Sequence, residues 1–183
     1  MRKNILSLVM MIIGAAMIIT AAVLGFNRFG YEDRQAEKSQ KAAEILYGLM
    51  DDTKPGMMIK GEAEKPMAVM DLEGMDIVGY LFYPKDGEAQ AVQASYSHVP
   101  LVAGVWKGTP QTGDFYIALA DLPNLEIGDE VQFIDVMGYA YLYRVDAVSS
   151  DIDLVDSCDA VLFSSRSGKI SQIILAFEDG GLQ

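Results

Sequence analysis

Ile5–Phe26 is a run of 22 residues without a single formal charge, and no other stretch restricts the chain's folding as much. As a helix rising about 1.5 Å per residue it is about 33 Å long, which matches the hydrocarbon core of a bilayer. The run predicts one membrane-spanning anchor within residues 1–30. A cleaved secretory signal is the competing reading, because Arg2 and Lys3 precede the run and the small residues Ala21 and Ala22 lie near its end. Such signals have apolar regions of roughly 7–15 residues, so the greater length here favours a retained anchor. Flanking charge does not fix the orientation. Arg28, Arg34, Lys38 and Lys41 follow the run and outnumber Arg2 and Lys3, yet long domains translocate largely regardless of that count.

All 26 acidic residues lie beyond Phe26, and 12 of the 14 cations do. The remainder of the chain therefore carries a formal charge of −14. Such a surface repels phosphate backbones and anionic headgroups, which argues against nucleic acid as a partner. Cys158 is the only cysteine, excluding an internal disulfide and any multi-cysteine zinc or iron–sulfur site. His98 is the only histidine, and no group of carboxylates beside it suggests a metal site. No cofactor is expected.

Beyond the anchor, Ala36, Ala43, Leu46 and Met50 recur at helical spacing while Glu32, Arg34, Glu37 and Lys41 face elsewhere, predicting a helix over Tyr31–Met50. It serves either as a juxtamembrane clasp between copies or as a helix packed on its own domain. Asp51–Pro66 mixes Lys54-Pro55-Gly56 and Lys60-Gly61 with charge and reads as a linker, so residues 31–66 join the anchor to a domain over 67–183. From Met67 onward, short apolar runs separated by Gly, Pro, Asp and Asn predict an all-β fold. The runs lie near Met67–Asp71, Ile77–Tyr83, Ala89–Ser95, Leu101–Trp106, Phe115–Ala118, Glu130–Val136, Tyr139–Ala147, Ala160–Ser164 and Gln172–Glu178. Val136-Met137-Gly138 predicts a tight hairpin. The many aromatics, among them Trp106, Tyr116, Tyr141 and Tyr143, suit core and cross-strand pairs, and an exposed group of them would suit peptide binding.

Leu125-Glu126-Ile127-Gly128-Asp129-Glu130-Val131 places a glycine and an aspartate just before a strand, a turn that by itself is an ordinary structural corner. Its neighbours add more. Asp76-Ile77-Val78-Gly79-Tyr80-Leu81 resembles the segment with which sortase domains begin their first barrel strand. Tyr141-Leu142-Tyr143-Arg144-Val145 resembles the hairpin strand after the Gly-Asp turn. Val161-Leu162-Phe163-Ser164-Ser165 stands in the place of the family's Thr-Leu-x-Thr-Cys, and Gln172-Ile173-Ile174-Leu175 resembles the strand that opens with the family's arginine. The segments occur in the family's order from about Met75 to Phe177.

The resemblance implies a sortase-like closed β-barrel of about eight strands, preceded by a transmembrane helix and a short juxtamembrane helix, with the amino terminus inside the cell and the barrel outside it. In sortases a cysteine thiolate attacks a peptide sorting signal, assisted by histidine and arginine, and an amine resolves the thioester. Here the nucleophile position falls on Ser165 and the arginine position on Gln172, while the Ala-Gly-His expected after Tyr116-Ile117-Ala118 is replaced by Leu119-Ala120-Asp121-Leu122. A serine hydroxyl needs a nearby base, and glutamine offers no fixed positive charge to an oxyanion. Loss of transpeptidation is therefore expected, leaving a protein of the bacterial cell envelope that binds or assembles with envelope or pilus proteins or sorting-signal peptides.

Two alternatives remain open. One is an acyl-transferase or hydrolase using Ser165, with His98 or Lys169 as base; the other is a structural adaptor for pilus or secretion assembly. Cys158 reads as a small buried residue rather than a nucleophile, because Asp156 and Asp159 flank it and would raise a thiol pKa. If the anchor is retained, the full chain will sediment with membranes after alkaline extraction and a chain lacking residues 1–30 will remain in the supernatant. Release of the full chain by the same extraction would refute the anchor.

Overall fold

The computed structural model describes residues 17, 18, 20, 37–49, 53–59, 65–96, 102–151, 153–166 and 169–178. The chain divides into two units, Met1–Ala36 and Glu37–Gln183. In the first, Met17, Ile18 and Thr20 are helical and exposed; the rest of the expected span Ile5–Phe26 lies outside the described residues. Among the described residues no helix is long and apolar enough to cross a membrane.

Among the described residues the second unit contains one helix, α1 (37–49), and ten strands. In chain order these are β1 (Lys54–Pro55), β2 (Met70–Leu72), β3 (Met75–Tyr83), β4 (Glu88–Gln93), β5 (Ala103–Thr109), β6 (Gly113–Ala118), β7 (Glu130–Asp135), β8 (Tyr139–Asp151), β9 (Ala160–Arg166) and β10 (Lys169–Phe177). The domain is mostly β, as the apolar runs predict. Strands pair in the order β3, β4, β5, β6, β9, β10, β8, β7 and back to β3, so eight of them join in a hydrogen-bonded ring. Most pairings are antiparallel; β4 with β5 and β6 with β9 are parallel. β2 lies outside the ring against β3, and β1 against β8.

Strand alternation sorts the side chains of the ring onto two faces. Phe115, Ile117, Leu162, Val131, Phe133, Tyr141, Tyr143 and Ile173 point inward to one core, where Phe115 and Phe133 meet edge to face with ring centroids 5.0 Å apart. β3 is buried along nearly its whole length because its outer face is covered too. Ala42, Ala43 and Leu46 of α1 pack there with Ile77, Tyr80 and Ile134, and Tyr47 adds contacts to Tyr80 and Phe82. The helix expected over Tyr31–Met50 thus packs on its own domain; residues 31–36 and 50 lie outside the described part.

The expected linker Asp51–Pro66 is partly structured. β1 runs parallel to β8, with the Lys54 amide donating to Gly138 O at 2.8 Å and the Gly56 amide to Ala140 O at 2.7 Å. Backbone pairing decides this, and the turn residues Pro and Gly that mark the segment do not reveal it. The hairpin at Val136-Met137-Gly138 is present, joining β7 to β8. The Asp135 carboxylate accepts from the amides of Met137 and Tyr139, both at 2.9 Å.

The Gly-Asp turn before β7 is a structural corner. Asp129 Oδ2 accepts from the Glu126 amide and from Lys85 Nζ, each at 2.8 Å, and Gly128 and Asp129 bond with the backbone of Val145. The amide first and the ammonium second hold the Asp129 carboxyl below its ordinary pKa. A carboxyl lowered in the folded state contributes stability above its unfolded pKa and loses it as pH falls through the folded value. Asp129→Asn therefore flattens the acid side of the stability–pH curve, which urea titration at a series of pH values measures.

Gly79 faces the backbone of β7: a Cβ there would collide with Ile134 O and lie 2.9 Å from Asp135 Cα. Backbone cannot yield as a side-chain tip can, so Gly79→Ala should destabilise the domain by about 1–3 kcal/mol. By contrast the Tyr143 hydroxyl is buried with no hydrogen-bond partner among the described residues, and burial pushes its pKa far up. Tyr143→Phe removes an unpaired polar atom and should be neutral or stabilising in the same denaturation assay.

Candidate functional site

β5, β6, β9 and β10 lie side by side, and their register builds the outer face that carries the candidate residues. Gln172 pairs with Phe163, Phe163 with Ala118, and Ala118 with Gly104, forming one row across four strands. The row beside it brings Val161, Tyr116 and Lys107 together. On the other side of the Gln172 row, Ser165 pairs with Ile170. Residues paired directly across strands share a face, so Ser165 and Gln172 lie on the same face as Tyr116 and Phe163.

The face is aromatic. Tyr116, Ala118, Val161 and Phe163 are buried on it, with Tyr96, Leu154, Val155, Cys158 and Ile170 packed against them. Trp106, 50% exposed, stands edge-on to Tyr116 and Phe163 at centroid distances of 5.5 and 5.9 Å. Lys107 Nζ lies 5.5 Å from the Tyr116 ring centre. The bulge between Val105 and Lys107 brings Trp106 and Lys107 to this face in succession. At Gly104 a Cβ would sit 2.8 Å from Ser95 O and 3.2 Å from Tyr96 Cα, so glycine there lets the chain after β4 cross directly over the row.

Ser165, at the nucleophile position, is exposed near the end of β9. Its neighbour Ser164 points the other way, is buried, and donates to Ala120 O at 2.9 Å. Ala120 belongs to the segment that stands where the family's Ala-Gly-His is expected. His98 lies outside the described residues. Lys169 pairs with Arg166, and strand alternation turns it to the face opposite Ser165.

Gln172, at the arginine position, is 3% exposed. Its Oε1 accepts from the Val155 amide at 3.0 Å and its Nε2 donates to Asp153 O at 3.2 Å. Tyr116 adds a third tie, donating to Val155 O at 2.7 Å. The side chains thus hold the connection from β8 to β9 against the face, a role the sequence did not suggest. The one local signal was the pair Leu154-Val155, two apolar residues set within an acidic stretch.

Cys158 lies in the same connection, half-buried beside Tyr116. Burial raises its thiol pKa first, and Asp114 and Asp159 raise it further, while the Tyr116 hydroxyl opposes them. Among the described residues no group of three or more His, Cys, Asp or Glu is placed to hold a metal ion.

No protein-family model matches the chain, and no curated protein matches it. Among solved structures the chain is similar in fold to sortases. Sortase C1 from Streptococcus agalactiae is 17% identical with a TM-score of 0.48, over 60% of this chain and 72% of that one. Sortase E from Streptomyces avermitilis is 15% identical with a TM-score of 0.47, over 56% and 88%. The pilus-related sortase C of Group B Streptococcus is 16% identical with a TM-score of 0.45, over 81% and 95%.

The raised thiol pKa predicts slow alkylation of Cys158 at neutral pH, with a rate that climbs through a midpoint above that of an unperturbed cysteine. Iodoacetamide labelling across a pH series measures it, and a midpoint below the ordinary value would contradict the geometry.

Proposed function

We propose that this is a membrane-anchored, sortase-like protein of the bacterial cell envelope that has lost transpeptidation and acts as a binding or assembly partner. The observation that carries the reading is the state of Gln172. At the position where the sortase resemblance expects a cationic arginine, both ends of a neutral amide are committed to backbone groups of Asp153 and Val155. A side chain so engaged is turned to the backbone of Asp153 and Val155, and it holds no positive charge to stabilise an oxyanion. Serine in place of cysteine at 165, and Leu119-Ala120 in place of the family's histidine segment, support the same conclusion. The exposed Trp106 edge beside Tyr96 and Phe163 is a surface suited to an extended peptide or a partner protein. On the anchor reading of Ile5–Phe26 the domain is held at the outer side of the membrane.

The competing reading is chemistry at Ser165, whose hydroxyl is exposed on the same face. The two separate in one assay, in which residues 31–183 are incubated with a sorting-signal peptide and an amine while product formation and peptide binding are both followed. Binding without turnover is expected. Turnover that disappears in Ser165→Ala would establish the enzyme instead.

A further inference from the structure

The acceptor in the Gln172 amide has a consequence beyond the loss of a charge. The Val155 amide needs an acceptor, and glutamine supplies one at 3.0 Å. Arginine has five donors and no acceptor, so a guanidinium at this position would leave the Val155 amide unpaired. Three ties therefore converge on two residues of the connection between β8 and β9: Gln172 to Asp153 and Val155, and Tyr116 to Val155. Along the connection, Leu154, Val155 and Cys158 rest on Tyr116, Ala118, Val161 and Phe163. Further on, the Asp114 amide donates to Cys158 O at 2.9 Å and the Phe177 amide to Asp159 Oδ2 at 2.9 Å, fixing the end of the segment to the sheet. Ser157 turns the chain with φ of 58°, a conformation that a non-glycine residue keeps only when its surroundings enforce it.

We infer that Gln172 is a positioning residue that holds residues 153–158 as a strap closed over the outer face of β6 and β9, so that the chain's own apolar residues occupy the surface an incoming peptide would use. The face is filled by Leu154 and Val155, and the strap has no strand or helix of its own, so a few side-chain hydrogen bonds and apolar contacts hold its middle shut while the Asp114 amide pins its end at Cys158 O. Opening requires only local loss of those contacts, with the ring of strands intact. The inference rests on the proposed binding role for what the face would receive, and stands on its own for what Gln172 holds.

Cys158, the only cysteine, rides on the strap and reports its opening. In the full chain, alkylation of Cys158 under native conditions should quicken about tenfold in Gln172→Met, which removes two hydrogen bonds, and about threefold in Tyr116→Phe, which removes one. Glu88→Gln, exposed at the start of β4 and away from the strap, should leave the rate unchanged. If both Gln172→Met and Tyr116→Phe keep their thermal transition and label at the unaltered rate, the anchoring is overturned; if Gln172→Met does not fold, Tyr116→Phe decides by the same criterion. A sorting-signal peptide should bind the released variants more tightly than the unaltered chain, by about the factor seen in labelling. Equal binding by all three proteins overturns the closure and leaves the binding role standing, whereas binding by none of them overturns both.

Discussion

Closure of eight strands into a hydrogen-bonded ring is the constraint from which the other features follow. A sheet that returns on itself has no free edge among those strands, and each residue of the ring must face inward or outward. Inward residues form the core around Phe115, Phe133, Tyr141 and Tyr143. Much of the outside is covered as well. α1 covers β3 and β7 through Ala42, Ala43 and Leu46, and the connection between β8 and β9 covers β6 and β9 through Leu154 and Val155. Strands covered on both faces need apolar residues at successive positions, which explains why Ile77–Tyr83 and Ala160–Phe163 are near-continuous apolar runs without clean alternation.

That two-sided burial is also why the strands were legible in the sequence. All nine apolar runs correspond to strands, with ends displaced by a few residues, because burial imposes composition directly. The segments that escaped are those held by backbone or by distant side chains. β1 is two residues long, half of it proline, and forms because the amides of Lys54 and Gly56 find carbonyls on β8 more than 80 positions away. Nothing local to Lys54-Pro55-Gly56 encodes that partner. The strap is similar: its apolar content is small, and it is fixed by a glutamine that lies 17 residues from Val155 in sequence.

The candidate site was legible in its letters and not in its arrangement. Reading Ser165 and Gln172 as replacements for a nucleophile and an arginine depended only on order along the chain. The geometry adds that both occupy one face, in adjacent rows, and that Gln172 is engaged. It adds too that Lys169, four residues from Ser165 in sequence, is turned to the opposite face by the pairing of Ile170 with Ser165. In a helix a spacing of four would have brought them together; in a hairpin the register decides, and register is set by the whole ring.

A single substitution can thus change what a face does without disturbing the sheet beneath it. An arginine in the row with Phe163 and Ala118 projects a charge from the sheet and must be left accessible to act. A glutamine in the same row is short, neutral and able both to donate and to accept, which suits it to bridging two backbone groups in a low-dielectric setting. Once it does so, the apolar pair Leu154-Val155 is drawn over Tyr116 and Phe163, and burial of those side chains adds to the hydrogen bonds that drew them in. The strap also places Cys158 where burial and two aspartates raise its thiol pKa, so the segment that covers the face also quiets the thiol it carries. On these grounds the neutral side chain at 172, the covering of the face and the quiet thiol belong to one structural arrangement viewed at three positions.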